Sequence, residues 1–354
     1  MRCVNIDWLE VYVFEPLLSP ITADVYRQKG FRVVEREYGT KIYSEVFTVY
    51  EGEFELLIVQ RQPQSDKRLG GILPPGSCHI RMHNRFCYQR ACVMWFRQLL
   101  SELNYTFRSI KRVDLCIDFN RFDNGERPSN FATKYIRGDY VKICQPKISA
   151  HGTDNWDSRE WNSFAWGSPS SNVRTRFYNK SLEMREQAIK PWIVDAWLAA
   201  GLSLDDDVWR VEFEITKCTN TMWEDEGCTL GLFLTSIDTE EKIAALCQVY
   251  CSHYFRFKIY EEGKRKDRCK DKVLFRIDEW WRNYQPIDMC LKRKTTKGDR
   301  GFLRRLYQIA NDEFDKAPSV RNAVEEIVDY MCRHHGEVGS MNSKYWSRLL
   351  QWGL

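Results

Sequence analysis

Between residues 172 and 183 the chain reads NVRTRFYNKSLE, which sets Arg174, Arg176, Tyr178 and Lys180 at every second position. Side chains two apart on a β-strand point the same way, so these four line one face while Val173, Thr175 and Phe177 line the other. The apolar face suits a core. The other face sets a phenol among cations, which is a chemistry for anions. A phenol is a poor nucleophile near neutral pH because its pKa is about 10, and neighbouring positive charge is what favours the phenolate. Arg176 and Lys180 stand two residues to either side of Tyr178.

Two other segments share this logic. In RVDLCIDF, Val113, Leu115, Ile117 and Phe119 oppose Arg112, Asp114, Cys116 and Asp118; in RVEFEI, Val211, Phe213 and Ile215 oppose Arg210, Glu212 and Glu214. Any one of these strands is explained by a half-exposed antiparallel sheet with a solvated outer face. The three together are sorted, however, with carboxylates on two strands and Arg, Tyr and Lys on the third. Converging carboxylates make a hard-oxygen site for Mg²⁺ or Mn²⁺. Cations and a phenol beside them suit a phosphodiester, whose phosphorus a positioned nucleophile attacks in line.

In order along the chain, Arg112, Asp114 and Asp118, then Gly167, Ser168 and Ser171, then Arg176, Tyr178, Lys180 and Glu183, then Arg210 and Glu212 reproduce a pattern. It resembles that of the replication-initiation-factor (Rep-trans) family of rolling-circle plasmids, which includes relaxases of some conjugative elements. The resemblance covers residues 105–216 or so, with weaker similarity in the flanking strands and in FRIDEWW. It implies a sequence-specific DNA nickase and strand transferase. Tyr178 would attack the scissile phosphate at an origin, becoming joined to the 5′ phosphate and freeing a 3′ hydroxyl as primer. Asp114, Asp118 and Glu212 would hold Mg²⁺ or Mn²⁺, with Glu214 a further candidate ligand. Lys180 and Arg176 would activate the phenol or hold the phosphate, and Arg174 and Arg210 would contact DNA. The partners implied are double- and single-stranded origin DNA, a second copy in a homodimer, and a helicase. The chain lacks a separate N-terminal helix-turn-helix pattern, which favours replication over conjugative transfer by a relaxase with the same chemistry. A non-catalytic DNA-binding protein that keeps the fold is the reading from another class.

The rest of the sequence says how these residues are carried. With 354 residues, 43% of them hydrophobic and 14% aromatic, the chain has ample material for a packed core. It has no run of roughly 18 uncharged apolar residues, and acidic residues come early, so no membrane partner and a cytoplasmic location are expected. The 13 cysteines form no CxxC pair and suit buried reduced thiols. His79 and His83, four apart on a strand, would sit about 13 Å from each other, too far for one ion. A structural or DNA-facing role is expected for them. The net charge of +4 is modest but unevenly spread: residues 201–250 are acidic, and 256–300 are rich in Lys and Arg, including Lys264, Arg265 and Lys266. Those three are expected to contact the phosphate backbone.

Strand patterns at 4–15 and 43–60, a helical pattern at 88–104, and an interrupted one at 183–201 broken by Pro191 and stopped by Gly201, predict an α+β fold. The expected architecture is an antiparallel sheet with helices packed on one face over residues 1–295. A small helical C-terminal module is expected over 296–354.

Overall fold

A computed structural model of the chain describes residues 1–64, 73–154, 159–216, 222–225, 228–230, 234–265, 268–276 and 289–290. Ten of its strands build one antiparallel sheet. In chain order they are β1 (Cys3–Phe14), β2 (Arg32–Glu35), β3 (Tyr43–Glu51), β4 (Phe54–Pro63), β5 (Ser77–Met82), β6 (Thr106–Phe119), a short β7 (Tyr140–Lys142) that stands apart, β8 (Ile148–Asp154), β9 (Arg159–Trp166), β10 (Val173–Asn179) and β11 (Trp209–Thr216). In space the sheet runs β2-β3-β4-β5-β1-β6-β11-β10-β9-β8. The three strands singled out by their charges, β6, β11 and β10, are therefore immediate neighbours, and every pairing around them is antiparallel. The fold is α+β, as the alternation predicts.

Alternation decides which face is core. Val113, Leu115 and Ile117, Val211, Phe213 and Ile215, and Val173, Thr175 and Phe177 are all buried on one side of the sheet. Helices α3 (Cys92–Glu102), α4 (Pro128–Arg137) and α7 (Glu240–Tyr254) pack there, after α1 (Ala23–Gln28) and α2 (Asn84–Cys87) in chain order. Phe177 meets Phe131 of α4 at 5.6 Å between ring centroids, and Phe213 meets Tyr250 of α7 at 5.7 Å. Burying each such ring contributes on the order of 2–3 kcal/mol, which makes this face the main source of cohesion.

The opposite face is polar and only partly covered. Helices α5 (Lys180–Glu186) and α6 (Pro191–Ala199) form, as the Pro191 break predicts, and Gly201 takes φ +73° just beyond α6, where a side chain would be strained. They are seated by a second, smaller apolar cluster of Cys3, Met184, Ile193, Trp197, Leu202 and Val208. These helices close one end of the polar face and leave the other end open.

Strand β1 breaks the period of two. Its pairing with β6 steps from Ile6 opposite Leu115 to Trp8 opposite Asp114, which leaves Asp7 as an extra residue. Such a bulge lets two consecutive side chains point the same way. Ile6 and Leu9 remain in the core, and both Asp7 and Trp8 make their contacts with groups of the polar face.

The chain divides into two compact units, one of Met1–Trp223 with Gly231–Met289, the other of Glu224–Leu230 with Cys290–Leu354. Short strands β12 (Met222–Asp225) and β13 (Cys228–Leu230) fall around the first break, and β14 (Phe257–Ile259) pairs with β7 and with β15 (Asp271–Lys272). The expected helical module at 296–354, its boundary and most of FRIDEWW lie outside the described residues. No described helix is long and apolar enough to cross a membrane. The described cysteines are free thiols, nearly all buried, and burial pushes the pKa of the Cys92 thiol up to about 11.

Candidate active site

The register turns three separate sequence patterns into one lattice. Across β6, β11 and β10, Asp118 faces Arg210, which faces Tyr178. One row on, Cys116 faces Glu212, which faces Arg176. In the next row Asp114 faces Glu214, which faces Arg174. Side chains directly opposite on one face lie about 5 Å apart at Cβ, so each row brings residues distant in sequence into contact.

Reaching from the first row into the central one, the Tyr178 hydroxyl donates to Glu212 Oε2 at 2.7 Å, and within the central row Arg176 Nη1 donates to Glu212 Oε1 at 2.8 Å. The Arg176 guanidinium lies over the Tyr178 ring at 4.6 Å from its centroid. Tyr178 is 4% exposed and Glu212 2%, whereas the Arg176 side chain is 33% exposed. Arg176 is thus the outer member of the group. Burial, with the Glu212 carboxylate next in weight, holds the phenol well above its ordinary pKa of 10, against the opposing pull of Arg210 and Arg176. The neighbouring cations, expected to favour phenolate, do not prevail in this arrangement. Burial disfavours the charged form, and the nearest bonding partner is an anion. The phenol is a hydrogen-bonded acid with its proton aimed at a carboxylate.

Lys180 departs from the strand. The Asn179 side chain accepts from the Leu182 N–H at 2.9 Å and caps α5, so Lys180 is the first residue of the helix rather than the next tooth of the strand. It stays near Tyr178, with Nζ 5.6 Å from the ring centroid, but is buried and paired with Glu183.

At the closed end, Arg210 is fully buried. It binds Asp118 through Nε at 2.6 Å and Nη2 at 2.7 Å, Asp7 through Nη1 at 2.6 Å, and the Tyr88 hydroxyl through Nη2 at 2.8 Å. Trp197 of α6 donates to Asp118 Oδ2 at 2.6 Å, and Tyr88 donates to Asp7 at 2.8 Å. Burial alone would raise Asp7, but Arg210 and Lys180 hold its carboxyl well below the usual range. Two expectations change here. Arg210 is a buried structural cation and is not presented to DNA. Asp118 is its counterion, with both oxygens engaged by Arg210 and Trp197. The sequence marked neither Asp7, Tyr88 nor Trp197; the one available signal was the break of alternation in IDWLE.

At the open end, Arg112 grips Asp114 with both nitrogens at 2.8 and 2.6 Å, and Arg112 and Arg174 lie 3.7 and 4.0 Å from Glu214. Burial, and secondarily the negative charge of Glu212 and Glu214, raise Asp114 to about 7 despite Arg112. The Arg112 and Arg174 side chains are each 29% exposed, and Arg174 Nε is buried without a partner.

Asp114, Asp118 and Glu212 do not come together as one ligand set. Asp114 and Asp118 are four residues apart on β6, about 13 Å, and each of the three carboxylates has both oxygens committed to other side chains. Among the described residues no three His, Cys, Asp or Glu side chains are grouped to hold a metal ion. His79 bonds Glu10 at 3.1 Å, a structural role. Lys264 and Arg265 are exposed, with Lys264 paired to Glu261, and Lys266 lies outside the described residues.

No protein-family model matches the chain, and no curated protein matches it. Among solved structures it is similar to the rolling circle replication initiator protein from Geobacillus stearothermophilus, at 14% sequence identity and a TM-score of 0.45, over 77% of this chain and 93% of that one.

Within the lattice, burial falls steadily from Asp118 and Arg210, through Tyr178 and Glu212, to Arg176, Arg174 and Arg112. An anion approaching the open end meets three guanidinium groups first and the phenol immediately behind them. Arginine matches phosphate oxygens in a planar fork, so this order suits a phosphodiester.

Proposed function

We propose that the chain is a DNA nickase and strand transferase that initiates rolling-circle replication through a covalent bond between Tyr178 and a 5′ phosphate. The observation that carries this reading is the buried Tyr178 phenol bonded at 2.7 Å to Glu212, with the partly exposed Arg176 lying over the pair. The ordered sequence pattern around the same residues supports it.

The chemistry follows from the competition for Arg176. A backbone phosphate at the open end draws the guanidinium outward and off Glu212. Glu212 then keeps only its bond to the phenol, which is uncovered beneath. The phenolic proton passes to Glu212 Oε2 as Tyr178 Oη attacks phosphorus. The bond from phosphorus to the 3′ oxygen breaks, and that oxygen takes up a proton from water. Because the phosphodiester is exchanged rather than hydrolysed, the reverse attack by a 3′ hydroxyl reseals a strand and returns the proton to Tyr178.

Incubating the purified chain with single-stranded oligonucleotides tiling its own gene and flanks, followed by a denaturing gel, tests this. A covalent adduct is expected with the native chain and none with Tyr178→Phe. A native chain that binds these oligonucleotides but forms no adduct on any of them would leave the non-catalytic DNA-binding reading, which the burial of the phenol favours. A relaxase of a conjugative or mobilisable element would form the same adduct on a transfer origin in place of a replication origin.

Dependence on Mg²⁺ or Mn²⁺ is proposed from the sequence pattern, against the dispersal of Asp114, Asp118 and Glu212. Chelation is expected to abolish the adduct and Mn²⁺ to restore it; adduct yield indifferent to chelator would remove the ion from the proposal. A homodimer and a helicase partner belong to the same proposal.

A further inference from the structure

The polar face does not stop at the candidate site. Beyond β6 it continues across β1 and β5, where Glu10 stands opposite both Arg112 and Arg81, and Trp8 opposite Asp114. The bulge at Asp7 is what turns the Trp8 indole onto this face. The Arg81 guanidinium lies 4.6 Å and that of Arg112 5.0 Å from the Trp8 ring centroid. Further on, His83 is 6.4 Å from the Trp192 ring, and Arg85 lies 4.3 Å from the Phe54 ring and 5.9 Å from Trp192. Arg85 is exposed, and Trp8, Arg81, His83 and Trp192 are partly so.

Buried donors left unbonded are the second observation. Trp8 Nε1 and Arg174 Nε, both N–H donors, and His83 Nδ1, a donor or an acceptor according to its tautomer, are buried without a hydrogen-bond partner. Burial alone would raise the Glu10 carboxyl; His79, then Lys111 and the Trp8 indole aimed toward it, hold it below the usual range, although Trp8 Nε1 falls short of hydrogen-bond geometry. His83 is kept from protonation by burial first, and then by Arg81, Lys190 and Arg85 against Glu55. Buried donors are ordinarily satisfied, because leaving one unbonded is costly. These three mark both flanks of one surface. They call for a ligand rich in acceptors, and the aromatic rings among guanidinium groups call for one with flat rings on an anionic backbone.

We infer that this strip, from Arg112 through Trp8 and Arg81 to His83, Arg85 and Trp192, is the track on which single-stranded DNA lies as it leaves the Tyr178 site. Unstacked bases rest on the indoles, and phosphates meet the arginines. From the strand of Tyr178 to that of Arg81 there are four strand spacings, about 19 Å, room for a few nucleotides in an extended single strand. A duplex keeps its bases stacked on one another and cannot offer them to Trp8. The inference rests on the nicking reading only for what the track serves; the binding surface stands or falls separately.

The test uses the full chain and short single-stranded oligonucleotides bearing 5-iodouracil at successive positions, irradiated and mapped by mass spectrometry. Crosslinks at Trp8, His83 or Trp192 are expected. Crosslinks confined to other surfaces, such as 256–276, would overturn the track. In parallel, fluorescence anisotropy is expected to show that Trp8→Ala and Arg81→Ala each weaken binding of a single strand about tenfold. Trp8→Phe should retain most of the affinity, and duplex of the same sequence should compete poorly. Unchanged affinity in both alanine variants, or equal competition by duplex, would also overturn it. The two readings separate cleanly. Weakened binding in Trp8→Ala with no adduct from the native chain leaves the track and removes the nickase; normal adduct with unchanged binding does the reverse.

Discussion

Arg210→Ala is expected to lower the unfolding free energy by about 3–5 kcal/mol, the cost of stripping one partner from a buried ion pair. Arg210 is fully buried and makes four hydrogen bonds, two to Asp118 and one each to Asp7 and Tyr88. Alanine leaves Asp118 and Asp7 as carboxylates without their cation in a site closed by Trp197 and Tyr88. Asp118, fully buried, cannot reach bulk water without prising α6 from its apolar seat, whereas the Asp7 side chain is 17% exposed. Urea denaturation gives the shift directly. Its pH dependence carries a second signature. The folded pKa of Asp7 is depressed below 3.8, so its contribution to stability is fully present above about pH 4 and is lost as pH falls through the folded value. The variant, lacking the cation that depresses Asp7, should lose this acid sensitivity and gain relative stability as the orphaned carboxylates protonate. A midpoint unchanged by the substitution would return Arg210 to the role of a DNA contact.

Glu212→Gln is expected to slow adduct formation by about 10²–10⁴-fold, the range for loss of a general base, while DNA binding is kept or tightened. The amide preserves the shape of the site and an oxygen able to accept from Tyr178. It removes the basicity that receives the proton and frees Arg176 for the phosphate. Because burial and Glu212 hold the Tyr178 proton tightly, adduct formation by the native chain should rise with pH through neutrality into the alkaline range. In the variant that dependence should steepen, since hydroxide must replace the carboxylate. The same substitution would be damaging if Glu212 were a metal ligand, and the rescue distinguishes the two: raising pH restores a lost base, and raising Mn²⁺ restores a weakened ion site. An undiminished rate would show that Glu212 receives no proton.

The two substitutions sit on one strand, two residues apart and on one face, yet act on different quantities. Arg210 lies where α6 closes over the sheet and its charge is spent on holding elements together. Glu212 lies where the cover ends, and its charge remains available to a reaction. The two are almost equally buried, 0% and 2% exposed; what separates them is the partner, since Arg210 is tied to the buried Asp118 and Glu212 to the partly exposed Arg176.

Strands β6, β10 and β11, the face of each that is core, and the break between α5 and α6 were all legible in the order of residues alone. Each depends on short-range regularity: a period of two for side chains on a pleated strand, and the restriction that proline and glycine place on their own backbone. The order of residues also pointed to Tyr178 with Arg176 beside it. The order of strands, the register and the closure at one end came only from tertiary structure, because pairing joins residues that are distant in the chain and is settled by the packing of the whole apolar face. That is why Asp118 was legible as an acid but not as the counterion of Arg210, and why Glu212 was legible as an acid but not as the partner of the phenol. Asp7 and Trp8 reach the polar face through a bulge, a local violation of alternation whose meaning is set by the neighbouring strand.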